Sequence, residues 1–199
     1  MKSTKTNYVF AICLTAMGIA LNIVGGQIAL LLKLPIYFDC IGTVMVASLL
    51  GPIWGMVPNV LSGVIMGITM DIFSLYFAPV GIIIGFMAGI TSKMYAKDAK
   101  IFSPKKLPKI LLATLLISVP GTVVCAVINA ALFGGVTSSG SSIIVQLLTN
   151  IGMDLTVSIF VVQFLTDFLD RFVAILLVRR ILGILPKNLL KDTKLAKAE

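Results

Sequence analysis

The chain reads as long apolar stretches divided by short polar ones. Residues 8–32 are apolar and dotted with Ala11, Ala16, Gly18, Ala20, Gly25 and Gly26, so a first span is expected to end near the glycine pair. Lys33, Leu34 and Pro35 make a loop. Residues 36–50 predict a short second span that starts near Asp39, and Gly51-Pro52 ends it as an X-Pro turn does. Residues 54–70 give a third span, interrupted by Pro58 and Asn59, with Asp71 at its far end; residues 72–91 give a fourth, free of charge. After a basic stretch, residues 110–133 predict the fifth span and residues 134–142 an exposed loop rich in Gly, Ser and Thr. Residues 143–178 are too long for one ordinary span and predict a short outer or re-entrant helix followed by the sixth.

Composition makes lipid the solvent for this pattern. The 199 residues are 58% hydrophobic and 12% charged, with a mean hydropathy of +1.08, more than a soluble domain of that size covers with polar surface. The expected fold is all-α: one integral membrane domain over residues 1–199, a bundle of six transmembrane helices. Fourteen of the sixteen Lys and Arg fall in three clusters, at the amino terminus, between spans four and five, and after span six; only Lys33 and Arg171 lie elsewhere. Positive-inside topology then puts both termini and the middle loop in the cytoplasm of a multi-pass cell-membrane protein, and accounts for the net charge of +8 without nucleic acid. The first apolar stretch is read as a retained span, since no small-residue cleavage site follows it. No internal repeat supports an inverted-repeat transporter.

Candidate chemistry is sparse. Histidine is absent, which removes the usual general base and the commonest zinc ligand. Cys13, Cys40 and Cys125 lack C-x-x-C spacing and read as small buried hydrophobes. No Walker sequence, G-x-S-x-G elbow or H-E-x-x-H motif is present, so neither an enzyme nor a resident metal or cofactor is expected. The polar residues that stand out are Gln163, Asp167, Asp170 and Arg171. Asp167 shares a helix face with Asp170 and Arg171 by its i, i+3 and i, i+4 spacing. Each ion embedded in lipid costs at least ~2.5 kcal/mol unless paired or facing water. An ion pair tethering a helix end is one reading; the second acid favours the other, a polar wall of a binding cavity. Asn129, toward the outer end of span five, suits either ligand recognition or interhelical hydrogen bonding. Asn59, next to Pro58, reads as repairing the backbone. Ala16 and Ala20 form a small-xxx-small pair that admits a partner helix, and Gly63 and Gly67 a second such pair.

The order of these features resembles a known family. Ala16-Met-Gly-Ile-Ala20 on the first span, the loop Leu32-Lys33-Leu34-Pro35-Ile36, the turn Leu49-Leu50-Gly51-Pro52-Ile53-Trp54-Gly55, the basic loop after span four and the final helix with Asp170-Arg171 are similar to the substrate-binding S components of energy-coupling factor (ECF) vitamin transporters. The resemblance covers nearly the whole chain, and Leu-Gly-Pro-x-x-Gly is its most specific piece. It implies six helices, an outward substrate pocket, and a complex with a transmembrane coupling subunit and two cytoplasmic ATPases. It also implies that Ala16 and Ala20 contact the coupling subunit and that Asp39, Asn129, Gln163, Asp167, Asp170 and Arg171 form the pocket. On the outward half, five acids face Lys33 and Arg171, a net −3, which favours a neutral or weakly basic heteroaromatic of the pyridoxine or hydroxymethylpyrimidine type over a carboxylate. Asn129 and Gln163 would meet ring nitrogens and hydroxyls, and Asp170 would accept from a hydroxyl or ring N–H. Thiamine is the cationic alternative, with few aromatic residues in the outer loops to stack on it, and riboflavin or another vitamin remains open. A solitary facilitator or channel is the competing function, and an intramembrane enzyme a third.

Overall fold

The computed structural model describes residues 8–96 and 107–185. Lys2, Lys5, four lysines of the middle loop (Lys97, Lys100, Lys105 and Lys106) and the four lysines of the carboxyl-terminal tail lie outside the described residues. The rest is all-helical: α1 (Tyr8–Leu31), α2 (Ile41–Leu50), α3 (Pro52–Thr69), α4 (Phe73–Tyr76), α5 (Ala78–Tyr95), α6 (Leu107–Ile128) continued by a π-helical turn (Asn129–Phe133), α7 (Ser141–Asn150) and α8 (Leu155–Ile184). Four of these, α1, α3, α5 and α6 with its π turn, are long and apolar enough to cross a membrane, as a multi-pass membrane protein requires.

The second apolar stretch folds differently from the span expected over residues 36–50. Only Ile41–Leu50 is helical, ten residues or about 15 Å, and every residue from Gly42 to Leu50 is buried. An unbroken apolar run reads alike whether a helix faces lipid or is enclosed by protein. Here α2 is enclosed, with α1, α3, α5 and α8 packed against it. Around it the contacts run α1 to α3, α3 to α5, α5 to α6 and α6 to α8, so the longer helices form an arc with α2 at its centre.

Small residues and one amide set that centre. A Cβ on Gly42 would strike the backbone of Gly18, and one on Gly18 would meet Val46 and the Gly42 carbonyl, so α1 and α2 cross in backbone contact. One turn further along α1, Asn22 is fully buried. Its Oδ1 accepts the Gly42 N–H at 2.8 Å and its Nδ2 donates to Thr43 Oγ1 at 2.8 Å. Cys40 supplies no side-chain cap to α2, so an amide from the neighbouring helix satisfies an N–H that the helix start leaves open. At the other end, Gly51 has φ 93°, where glycine is favoured, and Pro52 opens α3. Gly63 and Gly67 face Ser74 and Leu75 within the chain, so their small size serves internal packing.

The final stretch divides as anticipated, into α7 and the 30-residue α8. Asp154 caps α8, accepting from the N–H groups of Thr156 and Val157 at 2.9 and 3.2 Å. The buried face of α8 recurs at three- and four-residue steps and carries Ser158, Gln163, Thr166, Asp167, Asp170, Arg171 and Arg179. The outward positions include Phe160, Leu165, Leu169 and Leu177. Polar groups turned toward protein and apolar ones outward is the arrangement lipid favours.

If the Gly18–Gly42 contact sets the α1–α2 crossing, then Gly42→Ala lowers thermal stability in detergent by about 1–3 kcal/mol, the scale of overpacking. Gly121→Ala is the control, because its Cβ would meet only Ile84 and Val80 side chains at ordinary contact distance, and it shifts the unfolding midpoint little.

Candidate functional site

The site is assembled where α8 meets the segment between α1 and α2. Asp170 is fully buried; its Oδ1 accepts the Phe38 N–H at 2.8 Å, and its Oδ2 accepts the Cys40 thiol at 3.0 Å and Arg171 Nη1 at 3.3 Å. Phe38 has φ 53°, a left-handed conformation that a bulky residue rarely adopts, and the charge-assisted bond from its N–H holds it there. Cys40 is thus a donor as well as a buried small residue; Cys125 is buried and Cys13 exposed. Arg171 Nη1 also donates to Asp167 Oδ1 at 2.8 Å, and Asp167 Oδ2 accepts from Thr122 of α6 at 2.7 Å. Two carboxylates and one guanidinium therefore tie α8 to α6 and to the segment before α2.

Beside this network lies a cavity with about 800 Å³ of empty space, its mouth included. Asp167, Arg171 and Cys125 form one wall, and Tyr37 and Asp39 enter from the segment before α2. Asn59, Ser62 and Met66 of α3 face them, while Phe73, Phe77, Val80 and Ile84 supply an apolar side. At the mouth, Asp71 accepts from Ser138 at 2.7 Å and from Ser74 at 3.3 Å, which brings the loop after α6 against the α3–α4 corner. Tyr37 Oη and Ser141 Oγ, 3.3 Å apart, join the same loop region to the segment before α2. Among the described residues, the basic side chains Lys93, Lys109, Arg179 and Arg180 sit on turns at the opposite ends of α5, α6 and α8, and none lines the cavity.

The residues singled out from the sequence divide into three groups. Asp39, Asp167 and Arg171 line the cavity. Asp170 stands behind it with both oxygens engaged, so its effect on a ligand passes through Phe38, Cys40 and Arg171. Asn129 and Gln163 are 2% and 1% exposed and do not line it, and Asn129 Oδ1 and both amide atoms of Gln163 have no hydrogen-bond partner. Both lie toward the loop after α6, about 6 Å along α8 from Asp167 and about 10 Å along α6 from Thr122.

Several lining residues escaped the sequence reading. Asn59 faces the cavity and donates to the Asp39 carbonyl at 3.4 Å, which links α3 to the segment before α2. The end that looked poor in aromatics contains a ring cluster: Phe133 lies 4.8 Å from Phe73, 5.4 Å from Tyr76 and 5.9 Å from Phe77, centroid to centroid. The only advance signal was the recurrence Phe73, Tyr76, Phe77 at three- and four-residue spacing.

Ligand atoms of Asp39, Cys40 and Asp170 lie within 4.8 Å of one another, a grouping that brings cations to mind. Asp170 is already committed to an N–H, a thiol and a guanidinium, and a metal ion would have to displace Arg171. The donor set fits a hydrogen-bonded ionic network better than a metal centre. No protein-family model, curated protein or solved structure matches the chain. Fold and site together define a helical, multi-pass membrane protein with a cavity whose largely apolar lining carries a few acidic and polar side chains.

Arg171→Met leaves two buried carboxylates without their cation and is expected to destabilise the protein by about 3–5 kcal/mol. Neutralising the acids as well, in Asp167→Asn/Asp170→Asn/Arg171→Met, recovers most of that loss. Thermal unfolding of the purified variants checks it; equal loss in the single and triple variants would show that packing, not charge, governs.

Proposed function

We propose that the chain is the substrate-specific S component of an ECF-type importer, binding a small water-soluble vitamin or precursor at the outer face for ATP-driven uptake. The observation that carries this reading is the form of the cavity. It is lined from the end bearing the 32–40 and 134–140 loops, and among the described residues none of its lining comes from the end bearing Lys93, Lys109, Arg179 and Arg180. A blind cavity suits capture followed by delivery, whereas a channel needs a path to both faces.

Placing the basic end in the cytoplasm makes the cavity outward-facing. The six-span count adds α8, about 45 Å long with Asp167, Asp170, Arg171 and Arg179 turned inward, and the enclosed α2 to the four long apolar helices. The Leu-Gly-Pro-x-x-Gly resemblance gains a physical basis: Gly51 and Pro52 make the turn, and a Cβ on Gly55 would clash with Ala47 and the Gly85 carbonyl. Ala16 and Ala20 are exposed on α1 between Ile12, Met17 and Val24, open to a membrane partner. Under this reading the partners are a transmembrane coupling subunit, two cytoplasmic ATPases and the lipid bilayer, and the chain itself is not an enzyme.

Co-expression with a coupling subunit and its ATPases tests the assignment. The expected result is a co-purifying complex that accumulates the vitamin in vesicles only with ATP, while the isolated chain binds without conducting. Continuous downhill flux through the isolated chain would establish the facilitator instead. Ala16→Trp/Ala20→Trp is expected to abolish co-purification and to change ligand affinity of the isolated chain by less than about twofold, since substitutions away from a site leave it within ~0.5 kcal/mol; an intact, active double variant would remove α1 from the interface.

A further inference from the structure

The charges around the cavity are unevenly matched. Arg171 is its one basic lining residue among those described, against Asp39, Asp71 and Asp167, a formal balance of −2. Arg171 is already neutralised: Nη1 contacts Asp167 at 2.8 Å and Asp170 at 3.3 Å, and Asp170 adds a further negative charge behind the wall. An incoming carboxylate would find a guanidinium already held between two acids. Asp71 is engaged by Ser138 and Ser74, and Asp167 by Arg171 and Thr122. Apart from a bond to its own backbone, the Asp39 carboxylate makes no hydrogen bond to a described residue, although its side chain is half-buried and lines the cavity. An unpaired carboxylate in such a place is costly until something donates to it.

A second feature points the same way. Phe73 and Phe77 line the cavity, and Phe133 braces both by ring contacts at 4.8 and 5.9 Å. Aromatic faces attract a cation through their quadrupole, and more strongly where water is excluded. Arg171 Nε is buried with no hydrogen-bond partner, and Nη2 donates to no described residue, so the same wall holds a spare donor for an acceptor atom on the ligand.

We propose that the cavity selects a nitrogen heteroaromatic carrying a positive charge, with Asp39 as the carboxylate that receives its charged or N–H-bearing nitrogen and the Phe73–Phe77 side as the surface for its ring. This rests on the substrate-binding reading above and sharpens it, from neutral or weakly basic ligands to cations. Asp39 is a specificity-determining residue: its carboxylate, unlike those of Asp167 and Asp170, is held by no other side chain and can receive the ligand.

The test is calorimetry on the purified full-length chain in lipid nanodiscs. The probes are thiamine and pyridoxamine as cations, pyridoxine and riboflavin as neutral compounds, and biotin, pantothenate and nicotinate as carboxylates. The proposal expects the tightest binder to be a cation, with Asp39→Asn weakening it about 10- to 100-fold, the scale of a charge-assisted hydrogen bond. The thermal midpoint of the empty variant should stay near that of the original chain, because the Asp39 carboxylate holds no other group. A carboxylate or neutral compound as tightest binder overturns the charge selection while leaving a vitamin-binding protein in place. So does a cation whose affinity Asp39→Asn leaves unchanged. Failure of every probe, from a chain shown to be folded by its unfolding transition, overturns the vitamin-binding reading and this inference with it.

Discussion

A buried carboxylate on the last helix holds the first loop of the protein, and much of the site's geometry follows from that. Asp170 cannot remain charged in a lipid-embedded bundle without partners, and it has three: the Phe38 N–H, the Cys40 thiol and Arg171. The first two fix the segment that leads into α2. That segment also delivers Tyr37 and Asp39 to the cavity. Arg171 in turn needs Asp167, which needs Thr122 on α6, so the charge requirement on one residue determines how α6, α8 and the α1–α2 segment meet.

The enclosed α2 is the apolar counterpart of this network. At ten residues it is half the length of an ordinary span, and it is sheltered by neighbours on every side for which a contact is formed. Its approach to α1 is close enough that no side chain fits between Gly18 and Gly42, and Asn22 closes its first turn. Cavity and core are thus built on opposite sides of one short element: its amino-terminal end abuts Asp39, and its body packs among α1, α3, α5 and α8.

Much of the fold was legible in the sequence because lipid writes a simple pattern, long apolar stretches punctuated by charge. The four long apolar helices, the Gly51-Pro52 turn and the division of residues 143–178 could all be read that way, although α1 runs through the Gly25-Gly26 pair to Leu31 and the fourth stretch breaks into α4 and α5. The enclosure of α2 could not, since a helix in lipid and a helix inside protein have the same composition. Within the site, the i, i+4 spacing of Asp167 and Arg171 disclosed their ion pair. Nothing in the spacing disclosed that Asp170 bonds a residue 132 positions earlier, that Asn59 reaches the Asp39 carbonyl, or that Phe133 closes on Phe73 and Phe77. Those contacts join segments far apart in the chain that meet only when the helices have packed, and local spacing does not name their partners.

The contact between Asp170 and Phe38 also bears on the order in which the molecule is assembled. Synthesis runs from the amino terminus, and the α1–α2 segment emerges long before α8. Until the last helix arrives, Phe38 has no carboxylate to hold its left-handed backbone, and α2 lacks one of the elements that enclose it. The early helices can enter the bilayer in sequence, but the cavity wall formed by Asp167 and Arg171 can be added only once α8 is made. A chain interrupted before residue 170 has its early apolar helices but neither Asp170 nor Arg171, so nothing yet ties the segment before α2 to the last helix.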